Sequence, residues 1–172
     1  DHEEVQRIAD IGTGSVCIAI ACALSFAESQ VDAVECSPEA LEVAAHNVEQ
    51  HGLEDRVSLV RSDLLAECGG EYDLIISNPP YVPNSSYLAL APEYMHEPEL
   101  GLIAGDDGLD VVRRLLAQAT SRLSPYGVLV VEVGEAAQAF EHAFPQLPVT
   151  WLEFENGGDG VFVLTRDELQ NL

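Results

Sequence analysis

The sequence predicts an α/β fold, with a mostly parallel seven-stranded sheet, helices on both faces and an antiparallel C-terminal hairpin. Three observations predict it. Apolar strand-like runs alternate with helix-like segments from Arg7 to Ser62, the rhythm of βαβ units. Leu74-Ile75-Ile76 and Val128-Leu129-Val130-Val131 are continuously apolar, as central strands covered on both faces must be. Asn156-Gly157-Gly158-Asp159-Gly160, between the last two strand-like runs, reads as a hairpin turn.

The elements follow in order. Arg7 to Gly12 is a strand, Ser15 to Phe26 a helix and Val31 to Cys36 a second strand. The next helix runs from Pro38 to His51, with Leu41, Ala44, Ala45 and Val48 at i, i+3, i+4, i+7 spacing. It opens with Ser37 as cap and Pro38 in the first turn, and stops near Gly52. Val57 to Ser62 and Leu74 to Ile76 are the next strands. After Asn78 a stretch to Asp107, rich in Pro, Tyr, Gly and acidic residues, shows no sustained period; a connection that long marks a substrate loop. A helix from Gly108 to Leu123, a strand from Val128 to Val133, a helix from Glu135 to Phe144 and strands Val149 to Glu155 and Gly160 to Thr165 complete the chain.

With 172 residues, 47% hydrophobic and 22% charged, one domain buries a full core without disulfides. The chain starts at Asp1 without methionine and its first strand-like run begins at Val5, which reads as a fragment of a longer protein. No run is apolar enough to span a membrane and no signal peptide is visible, so a soluble, cytoplasmic protein is expected. Thirty acidic against seven basic residues, a formal charge of −23, repel a phosphate backbone and suit a basic protein partner, although an acidic surface kept for solubility reads the same way. Cys17, Cys22, Cys36 and Cys68 form no C-x-x-C pair; Cys17 and Cys22 fall in an apolar run and are expected as reduced core thiols. The histidines are scattered, His46 and His51 lie off a common helix face, and no metal is expected.

Asp10-Ile11-Gly12-Thr13-Gly14 ends the first strand and leads into a helix, a turn whose glycines let backbone N–H groups and the helix terminus approach a nucleotide-like ligand. A dinucleotide fingerprint needs a third glycine where this chain has Cys17. Glu35 ends the second strand, 23 positions after Gly12, where a carboxylate accepts hydrogen bonds from both ribose hydroxyls. Asp63-Leu64 follows the third strand, where an acid could receive the amine of an adenine and Leu64 cover its face; alone, Asp63 is as readily a turn residue.

Asn78-Pro79-Pro80-Tyr81 directly follows an apolar strand. Two prolines fix the backbone and withhold N–H donors, leaving carbonyl oxygens outward. An amide NH₂ held by the Asn78 oxygen and the Pro79 carbonyl gains the electron density it lacks as a nucleophile, and Tyr81 would lie flat on that planar acceptor.

Glycine turn, acid and N-P-P-Y, in that order, resemble the HemK/Prm family of protein-glutamine N5-methyltransferases over essentially the whole chain. His96 to Leu102 and Trp151 to Phe162 look like its PrmB branch, which modifies a large-subunit ribosomal protein. The resemblance implies a Rossmann-like class I methyltransferase fold and S-adenosylmethionine as cofactor. Gly12, Thr13 and Gly14 would serve its methionine part, Glu35 its ribose, Asp63 and Leu64 its adenine, with Asp10 and Asn78 also among the cofactor-binding residues. Asn78, Pro79, Pro80 and Tyr81 would form the catalytic acceptor site. Val16 stands where the family usually has glycine and Glu35 where the branch usually has aspartate; the first is expected to weaken cofactor binding. The family's helical N-terminal docking domain is expected to lie outside this chain.

Three alternatives stay open. A release-factor methyltransferase shares the chemistry. A nucleic-acid amino-methyltransferase fits N-P-P-Y but not the charge. A non-catalytic docking module would have lost cofactor affinity through Val16.

Overall fold

The computed structural model describes residues 5–81, 105–155, 157–170 and 172. Among the described residues seven strands form one sheet: β1 (Arg7–Ile11), β2 (Gln30–Glu35), β3 (Val57–Arg61), β4 (Tyr72–Ser77), β5 (Leu123–Glu132), β6 (Thr150–Leu152) and β7 (Val161–Thr165), in the order β3-β2-β1-β4-β5-β7-β6. The first five are mutually parallel; β7 lies antiparallel between β5 and β6. The predicted parallel sheet with an antiparallel hairpin is therefore present.

Among the described residues the α-helices are α1 (Cys17–Ser25), α2 (Pro38–Gln50), α3 (Asp110–Ala119), α4 (Ala137–Ala143) and α5 (Arg166–Leu169). One core cluster packs α1 and α2 against the sheet around Ile8, Val31, Ala33 and Val57. The other joins Leu115, Leu116, Phe140, Phe162 and Leu169 to Ile75 and Leu129. A central sheet buried on two faces explains the unbroken apolar runs of β4 and β5.

Helix α2 forms as its sequence predicts. Ser37 Oγ accepts from Ala40 N–H at 3.1 Å, Pro38 fills the first turn, and Gly52 (φ 62°) follows the end. Ala44 and Val48 of its stripe are buried, whereas Ala45 is exposed.

Elsewhere tertiary pairing moves the boundaries. The predicted helix to Leu123 stops at Ala119, because Leu123 already pairs with Tyr72 and starts β5. Helix α1 begins at Cys17, not Ser15, and β6 keeps three residues of the predicted Val149 to Glu155. Helix α5 is unanticipated; a reciprocal capping box between Thr165 and Glu168 starts it.

All four cysteines are free, but Cys17 is exposed while Cys22 is buried, which corrects the expectation for Cys17. Val16 takes the core position before it. The expected substrate loop, apart from residues 79–81 and 105–107, and the branch segment His96 to Leu102 lie outside the described residues.

Candidate active site

Because β1 to β4 run parallel, Ile11, Glu35, Arg61 and Ser77 end on one edge of the sheet. Strand order reverses between β1 and β4, the switch point at which open α/β sheets bind ligands. There Ser77 Oγ donates to the Ile11 carbonyl at 2.7 Å, fastening the glycine turn beside the start of N-P-P-Y.

The glycine turn differs from expectation in one respect. Its N–H groups are engaged within the protein: Gly12 and Thr13 donate to the Val34 carbonyl at 2.9 and 3.0 Å, and Gly14 to Glu35 Oε2 at 3.1 Å. What the glycines provide is space. Both have positive φ, 71° and 54°, and a Cβ at either would meet nothing within 4 Å, leaving an open face for a ligand.

Val16 is left-handed too (φ 69°), an outlier for a β-branched residue that costs about 1 to 2 kcal/mol. Its side chain is fully buried in the core beneath α1, so what it brings to the turn is backbone strain rather than bulk in the ligand's path.

Asp10 is fully buried, not open to a ligand. Its Oδ2 accepts from Thr13 Oγ1 at 2.6 Å and from Ala19 N–H at 3.0 Å, tying the turn to α1, while Oδ1 has no partner. Burial, with a smaller push from Glu35, raises its pKa from 3.8 to about 6. Well below pH 3.8 the acid is neutral folded and unfolded; as pH rises from about 4 to 6 the unfolded chain ionises while the fold keeps its proton, and the fold loses about 3 kcal/mol. Urea unfolding at pH 4.5 and 8 is therefore expected to show Asp10→Asn gaining stability over wild type by about 2 kcal/mol between the two. A pH-independent difference would place the proton elsewhere.

The Glu35 carboxylate spans two segments: beyond Gly14, its Oε1 accepts from Cys36 N–H at 2.8 Å and Ser37 N–H at 3.0 Å. Asp63 is exposed and ion-paired with Arg114 of α3. Leu64 packs on the core and has φ 53°, so both non-glycine residues with positive φ among those described, Val16 and Leu64, flank this edge.

Asn78 is exposed at the end of β4, Pro79 is buried, and Pro80 and Tyr81 are half-buried. The Tyr81 hydroxyl lies 3.4 Å from Glu132 Oε1 at the end of β5. Glycines seat this tyrosine. A Cβ on Gly134 would stand 2.7 Å from the ring, one on Gly108 2.3 Å from the Tyr81 carbonyl, and one on Gly160 2.4 Å from the Gly134 carbonyl. Gly108, Gly134 and Glu132 carry no signal of a site role in the sequence, and Gly160 is legible there only as part of the hairpin turn.

Every predicted site residue thus lies at the end of a strand or in the loop that follows it along one sheet edge, and Asp10 supports that edge from inside. No group of three metal-ligating side chains occurs among the described residues.

Residues 1–97 match the methyltransferase small domain family. The ribosomal protein uL3 glutamine methyltransferase of Neisseria gonorrhoeae is 51% identical over 168 residues, 97% of this chain and 56% of that protein. The protein of the same name from Francisella tularensis is 45% identical over 98% of the chain and 54% of its own length. The chain spans about half the length of these relatives. Among solved structures, a methyltransferase from Pyrococcus furiosus superposes with a TM-score of 0.69 at 20% identity, covering 96% of this chain and 77% of that one. A ribosomal protein L11 methylase from Lactobacillus delbrueckii gives 0.65 at 21%, covering 94% and 69%. These likenesses show the class I methyltransferase fold.

Proposed function

Since this chain belongs to the methyltransferase small domain family, we propose that it is the catalytic domain of an enzyme that methylates the side-chain amide nitrogen (N5) of a glutamine in ribosomal protein uL3. S-adenosylmethionine supplies the methyl group, the new N–CH₃ bond forming as the sulfonium S–CH₃ bond breaks, with the amide proton lost to water. The observation that carries the reading is the exposed Asn78 beside an open glycine turn at the strand-order switch. The names of relatives 51% and 45% identical support the acceptor.

In this reading the open faces of Gly12 and Gly14 admit the methionine part, Glu35 receives the ribose hydroxyls, and Asp63 with Leu64 meets the adenine. The Asn78 side-chain oxygen and the Pro79 carbonyl hold the amide NH₂. Tyr81, backed by Gly134, covers the acceptor plane and excludes water. The proton leaves after transfer, so positioning replaces a strong base. The charge of −23 steers a basic ribosomal protein toward the site, in the cytoplasm, with docking completed by parts of the longer protein outside this chain. Among the described residues no helix is long and apolar enough to cross a membrane.

Calorimetric titration of this chain with S-adenosylmethionine, beside Glu35→Ala, tests the cofactor half. Micromolar binding is expected, weakened at least about tenfold in the variant, since hydrogen bonds to a charged group contribute about 1.5 to 3 kcal/mol. No binding by wild type would sink this half. Labelled cofactor offered to the longer protein with uL3, a release factor and ribosomal RNA tests the other. Label in uL3 glutamine is expected, and label in RNA would overturn the acceptor class.

A further inference from the structure

Leu64 holds a left-handed backbone, a conformation that favours glycine and persists in leucine only where the surroundings enforce it. Two of its constraints come from its own loop. Glu67 N–H donates to Ser62 Oγ at 3.0 Å, and Leu65 is buried in the core. Two more come from one face of α3. Gln118 Oε1 accepts from Leu65 N–H at 2.9 Å, and Arg114, one turn earlier, pairs with Asp63. The strained residue is thus gripped on either side.

The two grips differ in kind. Arg114 and Asp63 are both more than half exposed, and such a pair contributes little. Gln118 is partly buried and satisfies a backbone N–H that otherwise loses its partner.

We propose that Gln118 is a positioning residue of the adenine subsite, holding the Leu65 N–H so that Asp63 and Leu64 face the cofactor's base; this rests on the cofactor reading above. Gln118 touches no reacting atom. It acts through the loop, fixing the carboxylate that distinguishes an exocyclic amine, which donates, from a carbonyl oxygen, which repels it.

The test compares wild type, Gln118→Met, which keeps the stem and removes the acceptor, and Gln118→Glu, which restores one. Each is titrated with S-adenosylhomocysteine and with S-inosylhomocysteine, in which oxygen replaces the adenine amine, and its thermal melt is recorded. Gln118→Met is expected to bind the adenine ligand about fivefold more weakly, the loss of one hydrogen bond, and to discriminate less against the inosine ligand. Gln118→Glu is expected to recover both within about twofold. A purely structural role would lower the melt and leave the ratio of the two ligands unchanged, which overturns the proposal. So does wild-type binding with an unaltered Gln118→Met affinity. Absence of binding by wild type overturns the cofactor reading and this inference together.

Discussion

Asn78→Ala is expected to lower the turnover of methyl transfer by about 10² to 10³-fold, the scale of removing one positioned polar group from a reacting centre. Folding should not suffer, because Asn78 is exposed and the turn is anchored by buried Pro79 and by the Ser77 hydroxyl on Ile11. Turnover falls for two reasons: the amide NH₂ loses one of the acceptors that orient it, and its nitrogen loses electron density drawn from that hydrogen bond. The measurement is kcat and cofactor Kd of the longer protein and its variant with the ribosomal acceptor. A fall in kcat with Kd within about threefold assigns Asn78 to the acceptor. If Kd rises by a comparable factor, Asn78 is chiefly a cofactor contact, and an unchanged kcat would remove it from the site.

The largest structural effect is expected at Gly160. Its φ of +78° and a Cβ standing 2.4 Å from the Gly134 carbonyl oxygen, 2.7 Å from its nitrogen and 2.8 Å from its Cα leave no side-chain end to move. Left-handed strain of about 1 to 2 kcal/mol and overpacking of about 1 to 3 kcal/mol make Gly160→Ala destabilising by roughly 2 to 5 kcal/mol. That is a large part of the about 5 to 15 kcal/mol that holds a domain together. Gly157→Ala isolates the strain, since its φ is +92° but nothing lies within 4 Å of the added carbon. Urea midpoints should fall in the order wild type, Gly157→Ala, Gly160→Ala. Because Gly134 carries the Tyr81 ring, Gly160→Ala should also impair transfer in whatever fraction remains folded. Equal midpoints for the two variants would mean that Gly134 yields without cost.

Some features were legible because their cause is local. The Ser37 cap, Pro38 and Gly52 delimit α2 through hydrogen bonds within a few residues. Unbroken apolar runs identify β4 and β5 because a doubly covered strand has no polar face. Gly12, Glu35, Asp63 and Asn78 could be set at one edge because parallel βαβ units bring the ends of successive strands together.

Other features depend on which distant residue arrives beside them. Cys17 lies in a helix apolar on every side, so no periodicity tells which face meets the sheet; packing exposed it and buried Val16. Asp10 reads as a ligand contact beside a glycine turn, but the fold closes Thr13 and Ala19 over it. Gln118 is an unremarked helical glutamine until α3 lies against the loop after β3. Gly134 becomes the seat of Tyr81 only when β7 presses Gly160 behind it. By itself the sequence determined most of the elements, the parallel sheet with its closing hairpin and the candidates for the site's outer residues, because these follow from chemistry within a few positions along the chain. Tertiary structure alone decided which groups face a ligand and which support those that do, because that depends on contacts between segments tens of residues apart.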